Sequence, residues 1–404
     1  MFRYVIQLKG ILIDIDSFPD DLGVWDNICA QYRVCFMTES DQKAIEIRNR
    51  YGDECVYQAN GRVFWPNEET HRSVLNRIGL LTTEVAYVSA DISFIINAQV
   101  FLSGTILIYP EQLTYEEISR GPDAIYDSIK SLEYGLHTSE IGFYGEVALN
   151  PLIHIKKGFI LSTLLPVQNE KILLFILGRY FGYSHYMNQL HPYSSGIYLN
   201  KQQGKKYYGV FNEEFGRLFS GAVKIIKQYF KVDCVCNVPT RPGKDNRFSG
   251  IVKRVAEENQ IEDISSYFYC LKNYDTQKTL SEAARKNNIQ GVFSFNEDLT
   301  GKVVALVDDV ITTGATVKEC SYILKKHNAA GVIVVVLGVN QLGGSYWWQQ
   351  EPSVKCPNCG RRMYLMVNSH TRSFFYSCQC GKTLDYKVAY EKLAFEVNNE
   401  FTNR

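Results

Sequence analysis

The stretch VVALVDDVITTGATV, Val303 to Val317, concentrates residue types that can do chemistry. Five apolar residues lead into two adjacent carboxylates, Asp308 and Asp309, and then into Thr312, Thr313, Gly314, Ala315 and Thr316. Two carboxylates repel phosphate but accept hydrogen bonds, so the pair suits two vicinal hydroxyls. The segment that follows is the reverse. Its hydroxyls and backbone N–H groups, at the positive end of a helix, form an anion nest, and Gly314 lets the backbone approach a phosphate closely. A diol and a monophosphate on one small molecule describe ribose 5-phosphate, so a phosphorylated ribose is the expected ligand.

A second group lies near the C-terminus. CPNCG and CQCG hold Cys356, Cys359, Cys378 and Cys380, spaced C-x2-C, then 18 residues, then C-x-C. Two cysteine-glycine knuckles separated by a hairpin predict a zinc ribbon, and four thiolates leave no open position, so the zinc is expected to be structural. The hairpin carries Arg361, Arg362, Tyr364, His370, Arg372, Phe374 and Tyr376. Basic and aromatic residues interleaved in this way suit single-stranded nucleic acid or a protein partner. They also suit the small aromatic core that so small a ribbon needs, and both readings stay open.

These groups need elements to position them. Strand signals at Ile11–Ile15, Arg33–Met37, Val85–Val88 and Thr105–Tyr109, with helix patterns between, predict an α/β domain with a parallel sheet over residues 1–135. Phe211–Phe230, Gly250–Asn259 and Val317–His327 read as helices. Val232–Val238, Val303–Val307 and Val332–Leu337 read as strands, the last two as buried parallel ones, with Asp308 and Asp309 where the middle strand leaves the sheet. The stretch 136–205 is not legible in these terms, and KQQGKK within it reads as a solvated turn. The expected division is 1–135, 136–345 and a ribbon with tail over 346–404, the ribbon folding on its metal and the middle unit on its own core.

The bulk numbers exclude little. The 404 residues carry 43 basic and 43 acidic side chains, so any polyanion site must be local. The opening MFRYVIQLKGILIDIDSF is broken by Gln7 and Lys9 and is not read as a secretory signal. Ile92–Pro110 has no charge but is too polar for a membrane span; a helix, a glycine turn and a strand are expected there. With 11 cysteines, four at metal spacing and the others mostly in apolar runs, the chain reads as cytoplasmic and reduced, with no membrane partner.

VVALVDDVITTGATV resembles the phosphoribosyl-diphosphate (PRPP) signature of type I phosphoribosyltransferases. The resemblance implies that Asp308 and Asp309 meet the ribose hydroxyls and that Thr312, Thr313, Gly314, Ala315 and Thr316 hold the 5-phosphate. YDTQKTLSEAARKNNIQGVF, Tyr274–Phe293, resembles the ComF-type branch through Gln277, Leu280, Arg285, Asn288, Gly291 and Phe293. It implies a hood over the diphosphate, with Lys278 and Arg285 as its cations. VPTRPGKDNRFSG implies a diphosphate loop at Pro239, Thr240 and Arg241; Phe248-Ser249 stands where the branch has Phe-Asn, which leaves Arg241, Lys244 and Arg247 without fixed roles. The implied activity is a Mg2+-dependent glycosyltransferase moving ribosyl phosphate from PRPP to an acceptor. The other function this fold serves is PRPP or nucleotide sensing, with the ribbon binding nucleic acid or protein.

GILIDIDSF resembles the first motif of haloacid dehalogenase-like (HAD) phosphatases, with Asp14 as nucleophile and Asp16 as acid, and CFMTES the second, with Thr38 on phosphate. The last motif's acids align with Ala90 and Phe94, Asp91 is displaced by one, and the usual lysine before proline aligns with Trp65. A HAD-like fold without phosphatase activity is expected. The overall expectation is two parallel-sheet α/β domains, HAD-like and then transferase-like, with a small C-terminal zinc ribbon.

Overall fold

The computed structural model describes residues 7–59, 61, 65–108, 113–138, 142–150, 158–183, 185–274, 289–342 and 352–402. Its first sheet is built from β1 (Gly10–Asp14), β2 (Arg33–Thr38), β3 (Val56–Gln58), β4 (Val85–Ser89), β5 (Gly104–Ile108) and β6 (Ala124–Tyr126). All pairings are parallel and the order is β3-β2-β1-β4-β5-β6. Every residue of β1, β4 and β5 is buried, which is why these strands read as continuous apolar runs. The order reverses between β1 and β4, so Asp14, at the end of β1, stands at the switch point. The uncharged stretch forms the helix Ile92–Ala98, a tight turn and then β5, with Leu102 rather than a glycine taking the positive φ of 60°.

The second sheet holds β7 (Leu161–Val167), β8 (Glu170–Ile176), β9 (Arg179–Tyr180), β10 (Cys234–Asn237), β11 (Glu262–Asp263), β14 (Val303–Ile311) and β15 (Gly331–Asn340); β12 (Phe268–Cys270) and β13 (Phe293–Phe295) pair antiparallel beside it. Its order is β11-β10-β14-β15-β8-β7, with β9 continuing along β15, and only the β7–β8 hairpin is antiparallel. Among its described residues, the stretch illegible in sequence supplies β7, β8 and β9 at one side of this sheet and the helices Tyr144–Leu149 and Pro192–Asn200. Pro166 sits on β7, the outermost strand, where a missing N–H costs nothing.

β14 departs from expectation in one respect that shapes the site. It does not end at Val307 but pairs with β15 as far as Ile311↔Val339, so both aspartates lie within the strand. On the other side β10 stops at Asn237↔Val307. The carboxylates therefore sit on a strand hydrogen-bonded on one edge and open on the other.

β16 (Tyr364–Val367), β17 (Phe374–Ser377) and β18 (Thr383–Asp385) form the antiparallel ribbon, followed by the helix Tyr386–Thr402. Packing runs across all three parts. Leu12, Tyr87 and Leu107 belong to one apolar cluster with Leu165, Leu306 and Val334. Leu365, Phe374 and Tyr376 of the ribbon join a second cluster with Ile197, Phe211 and Leu218. Between the sheets Arg179, 2% exposed, donates to Asp123 Oδ1 at 2.7 Å and Glu146 Oε2 at 2.9 Å, both fully buried. Among the described residues no helix is long and apolar enough to cross a membrane.

Candidate active site

β14 delivers Asp308 and Asp309 side by side, and the backbone locks them. Asp309 N–H donates to Asp308 Oδ1 at 2.8 Å and Val310 N–H to Asp309 Oδ1 at 2.7 Å. Their surroundings differ. Burial and the neighbouring Asp309 charge push the Asp308 carboxyl up to about 7. Burial acts on Asp309 in the same direction, but Lys201 and Arg247 outweigh it and hold that carboxyl below its usual range. Arg247 Nη2 pairs directly with Asp309 Oδ2, and Lys201 Nζ stands 3.9 Å from the same oxygen.

The loop 312–316 follows at once. Gly314 has φ 74°, and a Cβ there would lie 3.3 Å from both Ile311 Cδ1 and Leu165 Cδ1, so the backbone is packed against the β7 edge. From Gly314 the chain enters the helix Ala315–Lys326, and Asp308, Thr312, Gly314, Ala315 and Thr316 line a cleft at the start of that helix, whose first N–H groups have no partner within it. The Thr313 hydroxyl is buried without a partner among the described residues. Thr312 is held from outside: the Tyr115 hydroxyl, from the first unit, donates to its carbonyl oxygen.

The expected diphosphate loop leaves β10 beside the acids. Thr240 Oγ1 donates to Asn246 Oδ1 at 3.4 Å, and the Arg241 guanidinium lies 4.2 Å above the Tyr274 ring, so it faces an aromatic rather than the carboxylates. Asn237, at the end of β10, keeps a buried Oδ1 without a partner among the described residues. The hood cations Lys278 and Arg285, with Gln277, Leu280 and Asn288, lie outside the described residues. Sequence reading missed Lys201, Tyr115 and Asn237. Lys201 was absorbed into the solvated KQQGKK turn, and neither Tyr115 nor Asn237 belongs to any local pattern.

The four ribbon cysteines converge as their spacing requires. Their sulfurs all lie within 4.8 Å of one another, with Cys356–Cys380 at 3.5 Å and Cys359–Cys378 at 3.4 Å. Thiolates about 2.3 Å from a tetrahedral zinc stand about 3.8 Å apart, so the set fits a metal ion such as zinc. Gly360 and Gly381, with φ 69° and 88°, close the two knuckles. The Arg361 backbone N–H draws the Cys359 thiol down to about 6. The ribbon's aromatics are largely consumed in packing. Phe374 stacks on Phe211 at 5.8 Å, the Tyr376 hydroxyl donates to Gln189 O, and Arg372 is tied to Glu213 and Glu214.

In the first unit Asp14 accepts from Ser89 Oγ at 2.8 Å, and Asp16 from Thr38 Oγ1 at 2.6 Å and Glu39 N–H at 2.8 Å. Trp65 and Phe94, aligned with the missing lysine and acid, are both buried, their rings 6.3 Å apart. Asp91, the displaced acid, caps the helix Ile92–Ala98 through Ser93 N–H. The two positions aligned with that lysine and that acid are thus apolar, while Lys43 Nζ reaches the carbonyl oxygens of Ile15 and Phe18 at 3.3 and 3.4 Å.

No protein-family model matches the chain. The DNA utilization protein YhgH of Escherichia coli K12 is 41% identical over 59 residues, which are 15% of this chain and 26% of that protein. The transcriptional regulator GfcR of Methanobrevibacter smithii is 37% identical over 90 residues, 22% of this chain and 43% of the relative. The chain thus spans less than half the length of either. Among solved structures, a purine phosphoribosyltransferase from Pyrococcus horikoshii Ot3 aligns with TM-score 0.23 and 15% identity, covering 38% of this chain and 97% of its own. A hypoxanthine phosphoribosyltransferase from Staphylococcus aureus aligns at 0.23 and 15%, covering 32% and 73%. The second unit is an α/β fold whose mostly parallel sheet carries the acids on a central strand that leads through a glycine loop into a helix.

Proposed function

We propose that this chain binds Mg-PRPP on β14 and the loop after it and transfers ribosyl 5-phosphate to an acceptor, releasing diphosphate. One observation carries the reading: Asp308 lines a single cleft with a glycine loop at a helix N-terminus, and Asp309 stands next to it on β14. Asp308 and Asp309 accept from the ribose hydroxyls. Thr312 to Thr316 hold the 5-phosphate, and the Thr313 hydroxyl, buried without a partner among the described residues, supplies one donor. A hydroxyl donating to Asp309 competes with Arg247, whose guanidinium is then free to face the departing diphosphate, with Thr240, Arg241, Lys278 and Arg285 as further contacts.

The chemistry asks for no protein nucleophile. The C1–O bond to diphosphate breaks with its electron pair on the leaving group, and an acceptor lone pair closes on C1. The chain positions the reactants and steadies the separating charge. Magnesium fits as a companion of the ligand. Among the described residues the cysteine set is the only group of three or more candidate metal ligands, so Mg2+ would rest on PRPP oxygens and water.

Calorimetric titration with PRPP and Mg2+ tests the binding. Asp308→Asn with Asp309→Asn removes two charge-assisted acceptors, each worth about 1.5–3 kcal/mol, so affinity should fall well over tenfold. Unchanged affinity would end the ribose assignment. Acceptor-dependent diphosphate release separates transfer from binding alone.

A further inference from the structure

A band of aromatic and basic residues runs outward from Asp309. Lys201 Nζ, 3.9 Å from that carboxylate, lies 4.6 Å over the Tyr180 ring. Tyr198, one helical turn before Lys201 in Pro192–Asn200, stacks on Tyr183 with centroids 5.2 Å apart and 23° between planes. Tyr183 is 66% exposed, so this stacked pair presents an aromatic ring to solvent instead of filling a core. Beyond Lys201 the chain carries Lys205 and Lys206, both exposed, and no acid occurs from Tyr193 to Asn212. The loop opposite carries exposed Lys244 and is tied to this one by Tyr208 Oη donating to the Asp245 carbonyl at 3.3 Å. Among the described residues Lys205, Lys206 and Lys244 have no carboxylate partner; Asp245 is the acid between the two loops.

We propose that this rim binds single-stranded nucleic acid, a base stacking on Tyr183 over Tyr198 and backbone phosphates meeting Lys205, Lys206 and Lys244. The occupant follows from three features. A free aromatic face takes any base, but only one whose own faces are uncovered, which a duplex does not offer. The cations lie on two loops rather than around one point, which matches a chain of phosphates better than a single nucleotide. The ribbon, where sequence placed the same chemistry, has spent Phe374, Tyr376 and Arg372 on internal contacts. Because the band ends at Asp309, the strand lies where an acceptor for ribosyl transfer would, and that step alone rests on the reading given above.

Fluorescence anisotropy with a labelled 15-nucleotide oligothymidine, without PRPP, tests the rim. Tyr183→Ala should weaken binding about tenfold or more, and Tyr183→Phe, which keeps the ring, should restore most of it. Lys205→Ala with Lys206→Ala should make the salt dependence shallower by about 1.4 in logarithmic slope, two phosphates at about 0.7 each. Equal affinity for a duplex of the same length, or wild-type affinity in Tyr183→Ala, overturns the proposal. PRPP titration of the wild type runs beside it: PRPP binding without strand binding sinks the rim alone, and strand binding without PRPP binding sinks the ribosyl reading alone.

Discussion

Asp308 and Asp309 are one position apart, yet their environments split their protonation. Asp309 keeps its charge against Lys201 and Arg247, while Asp308, with burial and a negative neighbour, titrates at about 7. A protonated Asp308 accepts less well from a ribose hydroxyl, so proton and ligand compete. The sign follows: PRPP affinity should rise as pH increases toward 7, by up to about tenfold per unit, and level off above it. Titration calorimetry between pH 6 and 8.5 at fixed free Mg2+ measures this. Asp308→Asn should lose that component of the pH dependence. An identical profile in the variant would assign the effect to the phosphates of PRPP itself.

At the scale of elements, the loop 312–316 is shaped by neighbours far away in sequence. Its Gly314 conformation is held against β7, and Thr312 is held by Tyr115 from the first unit, 197 positions away. We expect Tyr115→Phe to cost about 0.5–1.5 kcal/mol of stability and to weaken PRPP binding several-fold, because the freed carbonyl lets the loop relax. Thermal melts and calorimetric titration read the two effects separately. Lower stability with unchanged affinity would reduce Tyr115 to packing. This contact also shows where sequence reading stops. The acid pair, the loop, the cysteine knuckles and the gaps at Trp65, Ala90 and Phe94 are legible because short spacing carries them. Arg247 on Asp309 spans 62 positions, and no local period announces it. The length of β14 was missed for the same reason: Val303–Val307 alone looks complete, and it is the apolar run of β15 through Val339 that keeps the strand paired past the aspartates.

At the scale of the molecule, the C-terminal segment acts as a clamp. The ribbon was expected to fold on its metal beside a self-sufficient middle unit. Instead its inner face completes the middle unit's core: Phe374 lies on Phe211, Tyr386 Oη donates to Leu190 O at 2.9 Å, and Arg372 ties to Glu213 and Glu214. The last helix reaches further, to the first unit, where Asn398 Oδ1 accepts from Thr83 N–H at 3.2 Å and Asn398 Nδ2 donates to Thr83 Oγ1 at 2.8 Å. Three short strands bury too little apolar surface to fold alone, so the four thiolates and their metal must supply much of the ribbon's order. Metal loss should therefore uncover part of the shared core and lower the melting temperature of the whole chain, not only release a tail. Metal analysis should find one zinc per chain. In calorimetric scans, chelation or Cys378→Ser with Cys380→Ser should shift the main transition down by about 1–2 degrees, as about 1–2 kcal/mol does in a chain of this size. A separate low-temperature step with the main transition unmoved would mean that the ribbon's contacts with Phe211, Glu213 and Glu214 contribute nothing to the middle unit's stability.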